Sequence, residues 1–375
     1  MQFAPLATVR HLITYGEAMQ FNIRNSDHTL LLARGQVVRD ENQMEALLER
    51  GAIVDLLELK GPRSEVLEAH VEQLPVLWTL NIEKVGRTLR NASTEKAFAD
   101  SLKAASEPVL ALIERDPDLA IFQVLRQQSS NQTGYGVSHS VHAAITGLLV
   151  ARRLGWSAPL AEKVFKASLT MNLAMLDLQS RLAMQATPPT AQQRQVIHDH
   201  PLKSVQLLQA SGITDKEWLD GVAQHHESPD GKGYPNKLKE ISDIGALLRR
   251  VDMYTAKLSA RNNRAAVAAN QAGRDLFMSD KGHPMTAALV KEFGIYPPGC
   301  FVLLTGGETG VVIKRGEGAN TPHVAVLTSR SGEPLIEPIK RNTAMKDHAI
   351  VSVVSERTLK VRVSAEKLVL LATSL

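Results

Sequence analysis

Two adjacent histidines, His225 and His226, stand with Glu227 just ahead of a glycine-broken turn in the stretch HHESPDGKGYP. Histidine is the commonest protein ligand for metals, so the chemistry suggested here is metal binding, and the remaining ligands must come from elsewhere in the chain. Six of the twelve histidines, His139, His142, His198, His200, His225 and His226, fall in one region. A single histidine in a helical domain is more often a satisfied or solvated side chain than a ligand, so the context of each one decides. His139 opens SHSVHAAITGLLVARRLGW, where Val141, Ile145, Leu148 and Leu149 form a core-facing stripe, so a residue at that helix start can reach inward. His142, one turn on, reads as structural or exposed. His200 precedes Pro201 at the head of PLKSVQLLQ, which reads as a helix entry with proline at its first position. His225 and His226 end the helix WLDGVAQHHE; side chains of neighbouring helical residues diverge by about 100°, so the two can serve two metals, or one metal and one partner.

A carboxylate should accompany such a cluster, because hard divalent ions such as Mn²⁺ and Fe²⁺ favour mixed imidazole and carboxylate ligands. Asp252, in LLRRVDMYTAKLSAR, is flanked by Leu247, Leu248 and Val251 at helical spacing and is expected to be buried with a partner. Either that partner is the metal site, or Asp252 makes a structural salt bridge to Arg249 or Arg250.

The elements that must position these groups are mostly helical. Residues 1–62 read as a small α+β module: QFNIR and TLLLA around the turn NSDH suggest a hairpin, and ENQMEALLERG switches to helical spacing. A helical connector follows over 63–117, then an all-helical domain over 118–295 that carries the histidines. From 296 to 375 the runs FVLLT, GVVIKR, VAVLTS, LIEPIKR, IVSVV and LKVRVS alternate with GGET, GEGANTPH and RSGE, the pattern of a small antiparallel β barrel or sandwich. The fold class is thus mainly α, flanked by two smaller modules.

Composition narrows the function. At 375 residues, with 44% hydrophobic and 22% charged residues, the chain supports ordinary globular cores that need no structural metal. The single cysteine, Cys300, excludes an intramolecular disulfide and thiolate-rich zinc sites. With no signal-like start and charges breaking every apolar run, a cytoplasmic location without membrane insertion is expected. A net charge of +4 and 4% aromatic residues argue against a nucleic-acid polymer as partner but leave a small anionic ligand open.

The order His139, His200, HHExxDGxGYP and Asp252 resembles the HD-GYP family, a branch of the HD superfamily of metal-dependent phosphohydrolases that typically linearises cyclic di-GMP. The resemblance covers about 135–265 and implies an all-helical region holding two or three metals, usually iron or manganese. Residue by residue, it makes His139, His200, His225, His226 and Asp252 metal ligands. It places Tyr234, with Gly231 and Gly233 shaping its turn, on the ligand pocket, and Arg261 against a phosphate. The naming His-Asp pair should fall in ASLTMNLAM, but Met171 and Asn172 stand there, and Met175 replaces the lysine that follows. His198 and Asp199 form a literal His-Asp pair outside the motif. In the family the aspartate bridges two ions; Asn172 brings no charge and Met171 only a soft thioether. Loss of effects worth several kcal/mol would slow hydrolysis by orders of magnitude, at about 1.4 kcal/mol per decade.

Three functions follow. The first is a degenerate HD-GYP protein that binds cyclic di-GMP or docks on a signalling partner with little or no hydrolysis, its Fe or Mn sub-stoichiometric or absent. The second is an active phosphodiesterase using a reduced ligand set, and the third is a helical scaffold with inert histidines. Homodimerisation through 76–116 is a further expectation.

Overall fold

The computed structural model describes residues 3–19, 21–59, 62–95, 97–126, 134–262, 264–356, 359, 361 and 365–373. The chain divides into two compact units, Met1–Ala69 and His70–Leu375.

In the first unit, β1 (Phe3–Pro5), β2 (Ile23–Arg24), β3 (Leu30–Leu32) and β4 (Ile53–Asp55) form an antiparallel sheet in the order β1-β4-β2-β3. The expected hairpin is β2-β3. Helix α1 (Glu41–Glu49) starts where the Asp40 carboxylate accepts from Gln43 N, and Gly51 takes the positive φ that lets the chain turn back into β4. Leu6, Phe21, Ile23, Val38, Met44 and Val54 supply the core. Two short helices, α2 (Leu56–Leu59) and α3 (Pro62–Glu68), close the unit.

The second unit opens with α4 (Leu74–Arg90), α5 (Phe98–Arg115) and α6 (Pro117–Leu125). Asp116 ends α5 and caps α6 by accepting from Leu119 N, with Pro117 at the first helical position. Helix α7 (Tyr135–Arg153) is buried along almost its whole length because α4, α6, α8 (Ala158–Thr170), α9 (Leu176–Met184), α12 (Asp243–Leu258) and α14 (Pro284–Phe293) all pack on it. An apolar, alanine-rich sequence is what such an all-round environment requires. Gly136 is needed at its start: a Cβ there would lie 2.3 Å from the carbonyl oxygen of Leu176, so only glycine lets α7 and α9 approach this closely.

Helix α10 (Ala191–Ala210) begins at a capping box between Thr190 and Gln193, well ahead of the HP step. The entry expected at His200-Pro201 is therefore corrected: Pro201 lies inside the helix. Asp215 caps α11 (Lys216–Gln224), which ends just before His225, and Ser242 caps α12. Helix α13 (Ala269–Ser279) completes the helical part.

The strands β5 (Phe301–Leu304), β6 (Thr309–Lys314), β7 (His323–Thr328), β8 (Pro334–Asn342) and β9 (Ile350–Val354) match five of the six expected runs. They form one antiparallel sheet in the order β8-β7-β6-β5-β9, open at β8 and β9 among the described residues. Most of the sixth run, LKVRVS, lies outside the described residues. A terminal helix that sequence reading missed, α15 (Ala365–Thr373), packs with α6 on β6. Arg315, just past β6, donates to Asp118 of α6 and Glu292 of α14, tying the sheet to the helices. No helix among the described residues is long and apolar enough to cross a membrane.

Candidate metal centre

Helices α10 and α11 bring three imidazoles together. The ligand nitrogens of His200, His225 and His226 all lie within 4.8 Å of one another. Pro201 explains how His200 is set. A proline has no N–H, so the Ile197 carbonyl four residues back loses its helical donor, and His200 Nδ1 takes that carbonyl at 2.5 Å. His225 does the same in the last turn of α11, where helical donors run out: its Nδ1 donates to the Val222 carbonyl at 2.7 Å.

Both Nδ1 atoms must carry hydrogen, since a carbonyl only accepts. Both Nε2 atoms then present lone pairs, and they face each other at 3.0 Å. Two lone pairs repel at that distance unless a cation lies between them. The separation also matches the edge of an octahedron whose bonds are about 2.1 Å long. Burial pushes His200 down to about 3, with the neighbouring His225 adding to the shift. It likewise depresses His225 and His226, so all three imidazoles are in the neutral form that metals bind. The trio therefore fits a divalent ion.

His139 and Asp252, expected as further ligands, lie against each other beside the trio. His139 Nε2 lies 2.8 Å from Asp252 Oδ1, joining α7 to α12. Of the two arginines offered as alternative partners, Arg250 pairs with Asp280, and the ion pair that Asp252 makes among the described residues is the one to His139. Asp252 is also less buried than its pattern suggests, its side chain being 15% exposed. Burial alone would raise its carboxyl, but the hydrogen bond and charge of His139 outweigh this and hold it well below the usual carboxylate range. The negative charge acts on all three clustered histidines. Tyr135, which sequence reading missed, stacks on His139 with ring centroids 5.7 Å apart. Its hydroxyl accepts from Arg261 Nη2 at 2.8 Å, so Arg261, Tyr135, His139 and Asp252 form one line. Tyr135 stands four residues before His139, the helical spacing that could have revealed it. His142 is buried, resolving the choice left open for it.

The HHESPDGKGYP turn is organised by Glu227. This fully buried carboxylate accepts from Asn236 N at 2.7 Å and Leu238 N at 2.9 Å. Gly231 has φ +71°, and a Cβ on Gly233 would lie 2.4 Å from Ser228 N, so neither position accepts a side chain without rearrangement. Tyr234 N donates to the His226 carbonyl, and the tyrosine ring stacks on His226 at 4.5 Å. On its other side lies His198, 5.6 Å away and 48% exposed, bonded to Asp199. The motif tyrosine is thus held between the cluster and solvent.

Met171 and Asn172 are fully buried after α8, and neither amide atom of Asn172 has a partner among the described residues. Thr170, at the end of α8, accepts from Trp218 of α11 at 2.9 Å, while Ala174 N donates to Ser204 Oγ on α10, one turn past His200. The altered loop is therefore fastened to both helices that carry the cluster.

A family model described as HD domain matches residues 124–281. The cyclic di-GMP phosphodiesterase PA4108 of Pseudomonas aeruginosa is 26% identical over 306 residues, covering 79% of this chain and 73% of that protein. Residues 124–281 thus match an HD domain, and the chain is similar to an HD-GYP phosphodiesterase over most of its length. Bd1817, an HDG"Y"P protein from Bdellovibrio bacteriovorus, shares the fold at a TM-score of 0.50 and 15% identity, covering 77% of this chain and 97% of its own. HD domains are metal-dependent, and among the described residues the histidine cluster is a group that could hold an ion.

Proposed function

We propose that the protein is a cytoplasmic signalling member of the HD-GYP family that binds cyclic di-GMP at a single-ion centre and hydrolyses it little or not at all. The observation that carries this reading is Asn172: buried, uncharged and unpartnered where the family uses a bridging aspartate. His200, His225 and His226 would hold one iron or manganese ion, with occupancy below one per chain, and Asp252 offers its charge through the His139 pair. When bound, such an ion supplies Lewis-acid polarisation of a phosphate oxygen. Tyr234 and the Gly231–Gly233 turn shape the ligand side, and Arg261, fixed on Tyr135, is the cation available to a phosphate. Burial and the fixed tautomers keep protons away from the Nε2 atoms of His200 and His225 that face the ion.

The test is metal analysis of purified protein followed by incubation with cyclic di-GMP. Saturable binding with about one ion or fewer per chain and no linear product supports the proposal. Turnover with two ions per chain overturns it, and favours an active phosphodiesterase with a reduced ligand set, which the tautomer-fixed trio also supports. A signalling partner docked on the helical unit and a homodimer through 76–116 belong to the same proposal; co-purification and light scattering test them.

A further inference from the structure

A cavity of about 550 Å³ has none of the clustered histidines in its lining. It lies where the end of α4, the segment after Asn172, the start of α9 and the first turns of α10 meet. Its floor is apolar, with Leu89, Leu173 and Met175, and its rim carries Arg90, Arg181 and Gln192. Both arginines are exposed and form no ion pair among the described residues, and the single carboxylate in the lining is Asp177. A smaller cavity of about 290 Å³ on the α4 side shares Arg90 and is lined by Arg87 and Glu83 as well. The volume lies in the range of small-molecule sites, and an apolar floor beneath a cationic, amide-bearing rim suits a planar base joined to a phosphate.

We propose that this cavity is a second ligand site, separate from the histidine cluster, that takes a phosphate-bearing nucleotide. Arg90 and Arg181 donate to the phosphate, Gln192 meets the polar edge of the base, and Leu89, Leu173 and Met175 cover its faces. The inference does not depend on the function proposed above, because no residue of the metal centre lines the cavity. An occupant would rest against the segment that follows Asn172 and is fastened to α10 through Ala174 and Ser204.

The test uses full-length protein in excess EDTA, which removes any contribution of a bound ion, with guanosine 5′-monophosphate as probe. Saturable binding is expected, with the Met175 methyl resonance shifting on titration. Affinity should fall by at least about tenfold in the Arg90→Gln/Arg181→Gln variant and in guanosine, which lacks the phosphate. Both arginines are on the surface, so the variant should fold, which a wild-type unfolding midpoint would establish. Absence of saturation up to about 10 mM probe overturns the proposal. So does binding that the double variant leaves unchanged, or binding that appears only when metal is restored.

Discussion

Pro201→Ala isolates the role given to proline in setting His200. Alanine restores an amide that competes for the Ile197 carbonyl, now taken by His200 Nδ1 at 2.5 Å. Three contributions act on stability. Relief of a proline in a helix interior favours the variant by up to about 3 kcal/mol. Greater freedom of the unfolded chain opposes it by about 1 kcal/mol. Two methylenes leave a buried site, costing roughly 1.6 kcal/mol at about 0.8 each. These nearly cancel, so the unfolding midpoint in EDTA should shift by less than about 1 kcal/mol. Metal affinity should respond quite differently, because loss of the outer partner of a ligating imidazole typically weakens binding 10- to 100-fold. A chelator-competition titration with Mn²⁺ measures that loss, and nitrogen NMR of the His200 ring in metal-free protein reports the tautomer. Wild-type affinity, with Nδ1 still carrying the hydrogen throughout, would refute the reasoning.

Asn172→Asp should place an unpaired charge in a fully buried position, lowering stability in EDTA by roughly 3 kcal/mol or more; Mn²⁺ should restore it and raise the ion count toward two per chain. An unchanged ion count would count against Asn172 as the limiting residue. Stability should also fall on acidification. His142 and His200 are depressed by burial to about 3, so they stay neutral in the folded chain but take up protons on unfolding below about 6.5. Their contribution is complete above that value and is lost between it and about 3, at up to about 1.4 kcal/mol per pH unit for each group. Urea midpoints that do not move between neutral pH and mild acid would contradict this burial. Glu227→Gln keeps the shape but turns an amide N–H₂ toward a backbone donor, and should destabilise the chain by roughly 2 kcal/mol in thermal unfolding; a neutral result would mean the turn does not depend on that carboxylate.

The residue types of the centre were legible in the sequence, while their pairing was not. The spacing of HHESPDGKGYP revealed the end of α11 because helical periodicity stops at a glycine-rich turn, and the strand runs of the C-terminal sheet were equally plain. The HP step misled for a physical reason: proline at a first helical position and proline inside a helix look alike locally, and the capping box at Thr190 that distinguishes them lies eleven residues upstream. Asp252 could not be matched to His139 from spacing, since the pair joins helices separated by more than a hundred residues. Tyr135 and Glu227 bear no metal-ligand pattern; what makes them important is whom they touch.

Taken with the geometry, the three substitutions in MNLAM form one consistent change. A buried aspartate without a second cation would be an uncompensated charge costing several kcal/mol, and the lysine the family places three residues on would lose its counterpart. Set against the motif that the sequence resembles, Met171, Asn172 and Met175 lack its imidazole, its anion and its cation together. The remaining cost is the pair of unpartnered amide atoms on Asn172, of order 1–3 kcal/mol each. Elsewhere the cluster is firmly organised: two backbone carbonyls fix the tautomers of His200 and His225, Glu227 accepts from the turn, and Tyr234 stacks on His226. A chain that had simply drifted would have no physical reason to keep two imidazole lone pairs opposed at 3.0 Å, an arrangement that costs energy until a cation enters. That retained frustration is why one-ion binding, rather than an inert scaffold, is the reading to test first.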